Sequence, residues 1–224
     1  MTFSIAAHCR ESGQFGVAVS SSSIAVGARC PWALAGAGAV SSQNITLPAL
    51  GPEILAALQQ GTPVAEALDA ALARDDYREY RQVTVIGNNG QTAAFSGSKT
   101  LGIHHTVRGR DCVAAGNMLA GKEVIAAMIT AFENARGPLA GRLITAMEAA
   151  LEQGGEAGPV HSAALKVVGS HSWPIVDLRV DWAEDAPIDQ LAALWRAYQP
   201  QAQDYLTRAV DPRQAPGYGV PGDE

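Results

Sequence analysis

Short apolar stretches bounded by turn residues alternate along this chain with longer segments whose apolar residues recur every three or four positions. The first pattern reads as strands and the second as amphipathic helices. Residues 2–7 and 15–20 flank the turn Glu11-Ser12-Gly13-Gln14 and predict a hairpin. Two further strands are expected over 20–28 and 35–42, separated by Arg29-Cys30-Pro31-Trp32. They are rich in Ser, Ala and Gly, whose small side chains allow another layer to approach closely. Helices are expected over 48–60, with Ile54, Leu55 and Leu58 on one face, and over 63–73, with Val64, Ala67, Leu68, Ala71 and Leu72. Asn88-Asn89-Gly90 joins strands 82–87 and 92–96, because Asn-Gly tolerates the positive φ of a tight turn. A short strand at 111–115, helices at 121–134 and 138–152, strands at 162–168 and 176–181, and a helix at 188–198 complete the pattern.

Helix pairs flanked by hairpins predict an α+β protein with mainly antiparallel sheets. Two sheets face to face between helix layers, a four-layer αββα sandwich, bury both faces of so many small-residue strands. A three-layer α+β arrangement is the competing architecture. The 224 residues suit one domain, with 200–224 read as an extended tail from its Pro and Gly content.

Charge narrows the partners. A net charge of −6 without clusters of Lys and Arg argues against nucleic acid and anionic membrane. No apolar run approaches the length of about 20 residues that spans a bilayer, and the start of the chain lacks a signal-peptide pattern, so a cytoplasmic location is expected. Cys9, Cys30 and Cys112 are widely spaced and read as reduced thiols. His104-His105 has no acidic residue at ligand spacing, so neither metal nor cofactor is expected. Trp195, Tyr198 and Tyr205 suit a subunit contact and predict a homodimer.

The chemistry centres on Thr2. Removal of Met1 would place this threonine at the amino terminus, where a free amine titrating near 8 takes the proton from its own hydroxyl. Asn117 in Gly116-Asn117 either donates to a developing oxyanion or caps the helix that follows. Ser20 and Ser22 belong to a serine run beside the expected terminus, and Gln43 and Asn44 line the same cleft or cap a turn. Arg179 either forks onto a substrate carboxylate or belongs to a charge ladder with Asp177 and Asp181. His161 precedes Ser162 on a strand, where neighbours face opposite sides, so packing competes with a role in the site. Ser4, Cys9 and His161 are alternative reactive groups.

Thr2-Phe3-Ser4-Ile5, Gly16-Val17-Ala18-Val19, Ala25-Val26-Gly27-Ala28-Arg29-Cys30, Gly36-Ala37-Gly38-Ala39, Gly116-Asn117-Met118-Leu119-Ala120-Gly121, Ser162-Ala163-Ala164-Leu165 and Val176-Asp177-Leu178-Arg179-Val180 together resemble a bacterial domain-of-unknown-function family of the N-terminal-nucleophile (Ntn) hydrolase superfamily. The resemblance spans essentially the whole chain, including the ending from Ala215 to Asp223. It implies the αββα fold and an amidohydrolase acting on a small amide, peptide or carbamoylated amine. A non-catalytic Ntn-like binding or structural protein is the alternative. Threonine enzymes of the superfamily commonly hold the amine neutral with a lysine; the serine run here offers only Ser22.

Overall fold

Strand β1 (Thr2–Cys9) turns at Gly13, φ +69°, and returns as β2 (Gln14–Ser21) in the computed structural model, which describes residues 1–220. Strands β3 (Pro31–Leu34) and β4 (Gly38–Asn44) form the second hairpin. Helices α1 (Leu50–Gln59) and α2 (Val64–Ala73) follow, then the hairpin of β5 (Arg81–Gly87) and β6 (Thr92–Ser96). Strands β7 (His105–Gly109) and β8 (Cys112–Asn117) lead to helices α3 (Glu123–Asn134) and α4 (Leu139–Glu152). Strands β9 (Ser162–Val168) and β10 (Pro174–Val180) precede helix α5 (Pro187–Val210).

The strands form two sheets, one of six strands in the order β10-β9-β2-β1-β8-β7 and one of four in the order β3-β4-β5-β6. All the paired strands are antiparallel. Side-chain alternation along β1 divides the core. Phe3, Ile5 and Ala7 pack with Met128, Phe132, Leu143 and Met147 of α3 and α4. Ala6 points the other way, into a cluster with Val17, Val113, Ala39 and Ile86 that joins the two sheets. Val40, Val83 and Val85 of the smaller sheet pack on Ile54, Leu58, Leu68 and Leu72 of α1 and α2. The layers therefore run helix, sheet, sheet, helix. No helix among the described residues is long and apolar enough to cross a membrane.

Close approach of the layers depends on glycine at Gly38. A Cβ there would lie 2.2 Å from the Ile86 carbonyl oxygen and 3.0 Å from Leu58 Cδ1. The Gly38→Ala variant is expected to lose about 2 kcal/mol, because backbone cannot yield as a flexible side chain does. That loss lowers the thermal midpoint by roughly 5 °C, to be read in a melting curve; an unchanged midpoint would show that β4 shifts freely.

Several elements differ from the local pattern. Residues 20–28 do not form a strand: β2 ends at Ser21, and a 3₁₀ turn occupies Val26–Ala28. Ser162 Oγ donates to the Ser23 carbonyl at 2.6 Å and accepts from the Val26 N–H at 3.2 Å, so a side chain takes the place of ladder bonds. Strand β7, hidden behind two histidines, pairs only with β8 and needs no continuous apolar run. Helix α5 passes Tyr198 and Pro200 and ends at Val210, so the first part of 200–224 is helical. Residues 221–224, the end of the expected tail, lie outside the described residues. Trp195 is buried in the core with Leu191 and Ala192, and Tyr198 donates its hydroxyl to the Ile175 carbonyl at 3.0 Å.

Candidate functional site

Antiparallel pairing brings the start of β1, the ends of β2 and β8, and the start of β9 to one end of the larger sheet. Thr2 pairs with Ser21 on one side and Asn117 on the other, and Ser21 pairs with Ser162. Paired residues share a face of the sheet, so Ser21, Thr2 and Asn117 stand side by side, facing the smaller sheet. Loops following β2 and β8 and preceding β9 close around them. Ala157 donates its backbone N–H to the Met118 carbonyl at 2.9 Å, and His161 donates its own to the Ser21 carbonyl at 2.9 Å.

Thr2 is 6% exposed. Its Oγ1 donates to the Met1 carbonyl at 2.5 Å and lies 3.2 Å from Ser21 Oγ. Ser21 Oγ donates to the same carbonyl at 2.5 Å and accepts from the Ser23 N–H at 3.1 Å. Two hydroxyls thus converge on the carbonyl of the peptide bond that joins Met1 to Thr2. The Met1 side chain lies against Gly158, where a Cβ would come within 3.0 Å of its Cε.

Behind Thr2 runs a buried polar strip between the sheets. Ser4 Oγ donates to Gln43 Oε1 at 2.6 Å. Gln43 Nε2 donates to Gln82 Oε1 at 2.8 Å and to the Ala115 carbonyl at 3.2 Å. Asn117 Nδ2 donates to Gln82 Oε1 at 3.1 Å, and Gln82 Nε2 donates to the Gly116 carbonyl at 3.0 Å and to Ser96 Oγ at 3.1 Å. Buried amides cost free energy unless bonded, and here each bond crosses between strands or sheets, which pins their register. Asn117 Oδ1 is buried without a partner among the described residues.

Glu156 completes the site. It lies in the loop between α4 and β9, where its backbone forms a bridge with Leu119, and it is 5% exposed. Oε2 accepts from the Ser22 N–H at 3.2 Å, while Oε1 has no partner among the described residues. Burial pushes its pKa up to about 8, opposed by the positive charge of the nearby amino terminus. Near neutral pH the carboxyl is therefore largely protonated. The only local signal for Glu156 is a lone acid among Gly154, Gly155 and Gly158, which reads as an ordinary loop.

The expected site residues part company in the fold. Thr2, Asn117 and Gln43 lie on the inter-sheet face or its polar strip. Ser20 pairs with Phe3, faces the helix layer, and donates its hydroxyl to the Ser162 carbonyl at 2.9 Å. Ser21, one position on, is the serine beside Thr2. Ser22 contributes its backbone N–H to Glu156. Asn44, at φ +70°, donates to the Tyr80 carbonyl at 2.6 Å and accepts from the Leu101 N–H at 3.2 Å, bracing two loops. The ring of His161 stacks on Trp182 at 4.5 Å, with Nδ1 2.8 Å from the Ala183 carbonyl. Arg179 is on β10, separated from β1 by β9 and β2, and is paired with Asp177 at 3.1 Å. Lys166 lies 3.4 Å from the same Asp177 carboxylate. Burial pushes the Cys112 thiol up to about 12, which leaves it unreactive near neutrality.

The crystal structure of protein SPO2555 from Silicibacter pomeroyi, assigned to DUF1028, is 33% identical to this chain, with a TM-score of 0.82 over 88% of this chain and 89% of that one. Anbu (ancestral beta-subunit) from Yersinia bercovieri aligns over 97% of this chain and 100% of its own at 11% identity, with a TM-score of 0.37; a likeness at that level carries no inference. No curated protein matches the chain. Residues 2–191 match the family described as "Family of unknown function (DUF1028)". With most of its length inside that match, and a solved relative of the same fold at 33% identity, the chain belongs to the DUF1028 family.

Proposed function

We propose that this protein is an N-terminal-nucleophile amidohydrolase of αββα architecture, acting on a small amide, peptide or carbamoylated amine with Thr2 as nucleophile. The observation that carries the reading is the Thr2 hydroxyl, buried at the head of a central strand and held beside Ser21 Oγ at 3.2 Å. After Met1 is removed, the Thr2 amine takes the proton from Oγ1 as that oxygen attacks the substrate carbonyl carbon. The acyl group passes to Oγ1, the protonated amine gives its proton to the departing nitrogen, and water then hydrolyses the ester. The second N–H of the Asn117 amide, beyond the one bonded to Gln82, and the Ser21 hydroxyl are the donors for the oxyanion. Burial disfavours the charged form of Glu156, which reduces the negative charge available to hold the amine as ammonium.

Mass spectrometry tests the reading. Intact protein should lack one methionine, and a β-lactone should acylate it once, on the peptide that begins with Thr2. Ser4→Ala should label normally, because Ser4 is committed to Gln43. Fully retained Met1 with no acylation would leave the non-catalytic binding or structural protein as the reading.

A further inference from the structure

We propose that the open groove between the two sheet edges, formed by β6 and β7, binds the oxyanion of a small molecule, a carboxylate or a phosphate. The groove encloses about 530 Å³ and is lined by Ala94, Ser96, His104, His105, Thr106 and Arg108. Its volume lies within the range of about 300–1,000 Å³ usual for small-ligand sites. Ligand class follows from the walls.

Register explains how the walls form. Ser96 and Ala94 pair with Gln82 and Thr84, and Thr106 and Arg108 pair with Ala115 and Val113. Val113 and Ala94 pack at the cluster between the sheets. The same faces of β6 and β7 therefore confront each other, and small polar side chains at their ends keep the space from closing.

The groove is rich in unsatisfied donors and has no acid. The Arg108 side chain has no ion-pair or hydrogen-bond partner among the described residues, although the chain carries a net charge of −6. Ser96 Oγ accepts from Gln82 Nε2, which leaves its own proton to donate. The Thr106 hydroxyl is likewise uncommitted among the described residues. Arginine forks onto two oxygens of one oxyanion, and hydroxyls supply the further donors such a group needs. Through Gln82 the groove is also the outer end of the polar strip that reaches Asn117. It is nevertheless a separate site, since neither Thr2 nor Ser21 lines it.

Nuclear magnetic resonance titration of the full chain with inorganic phosphate and with succinate, at constant ionic strength held with sodium chloride, tests this. Saturable shifts confined to the backbone amides of 94–96 and 104–108 are expected. Tighter phosphate identifies a phosphate ester as the ligand class, and tighter succinate a carboxylate. Arg108→Gln, on an exposed edge and expected to fold normally, should weaken binding at least about tenfold, and Thr106→Val by a smaller factor. Absence of saturation with both probes, or equal affinity in Arg108→Gln, would overturn the assignment.

Discussion

Replacing Thr2 with alanine is expected to lower kcat/KM at least about 10³-fold for any amide the protein hydrolyses, and to abolish acylation by a β-lactone. The side chain removed is small and sits at a strand end. Once Met1 is gone its hydroxyl keeps only the contact with Ser21 Oγ at 3.2 Å, so circular dichroism and the melting midpoint should change little. Thr2→Ser keeps the oxygen and should retain much of the rate. Ser21→Ala should fall between these extremes, near a tenfold to hundredfold loss, as one oxyanion donor disappears. Ser4→Ala should leave a measurable rate, since Ser4 Oγ serves the strip through Gln43 Oε1. Wild-type turnover by Thr2→Ala would transfer the chemistry to another group and end the proposal for Thr2.

Glu156→Gln is expected to make stability less dependent on pH. In the folded protein the carboxyl titrates near 8, against an ordinary value of 4.5. Between those values the folded state holds a proton that the unfolded state releases, so the wild type loses stability as pH rises from about 4.5 through about 8. The loss is at most about 1.4 kcal/mol per pH unit in that window. Over the roughly 3.5 pH units between the two values, with the opposing pull of the amino terminus already contained in the value near 8, the loss is a few kcal/mol at most. Glutamine has nearly the same shape as the protonated acid and can keep the bond from the Ser22 N–H. The variant should therefore melt close to the wild type at pH 5 and roughly 5–10 °C above it at pH 9. Parallel melting profiles at both pH values would show that burial does not control this carboxyl.

The hairpins around Gly13 and Asn88-Asn89-Gly90, and the four helices between residues 48 and 152, were legible because each follows from residues adjacent in the chain. Turn geometry and apolar spacing are local, and their energetics do not wait for the rest of the fold. The place of Thr2 at the head of β1 was legible too, because the apolar run that follows it reads as a strand. The α+β class followed from the order of these elements.

Choosing Ser21 over Ser20 required knowing which face of β2 the helices cover, because a shift of one residue along a strand reverses its direction. Glu156 gave no local signal at all: its burial against Ser22 comes from a loop 134 residues away. Strand β7 exists because the edge of β8 offers it hydrogen bonds, and α5 continues across Pro200 although the local pattern stops it at Tyr198. The chain alone thus determined most of its elements, its class and the residue at the head of β1. Tertiary structure alone decided which polar groups surround that residue, because contacts between positions a hundred residues apart arise from sheet register and layer packing, which no short window of sequence contains.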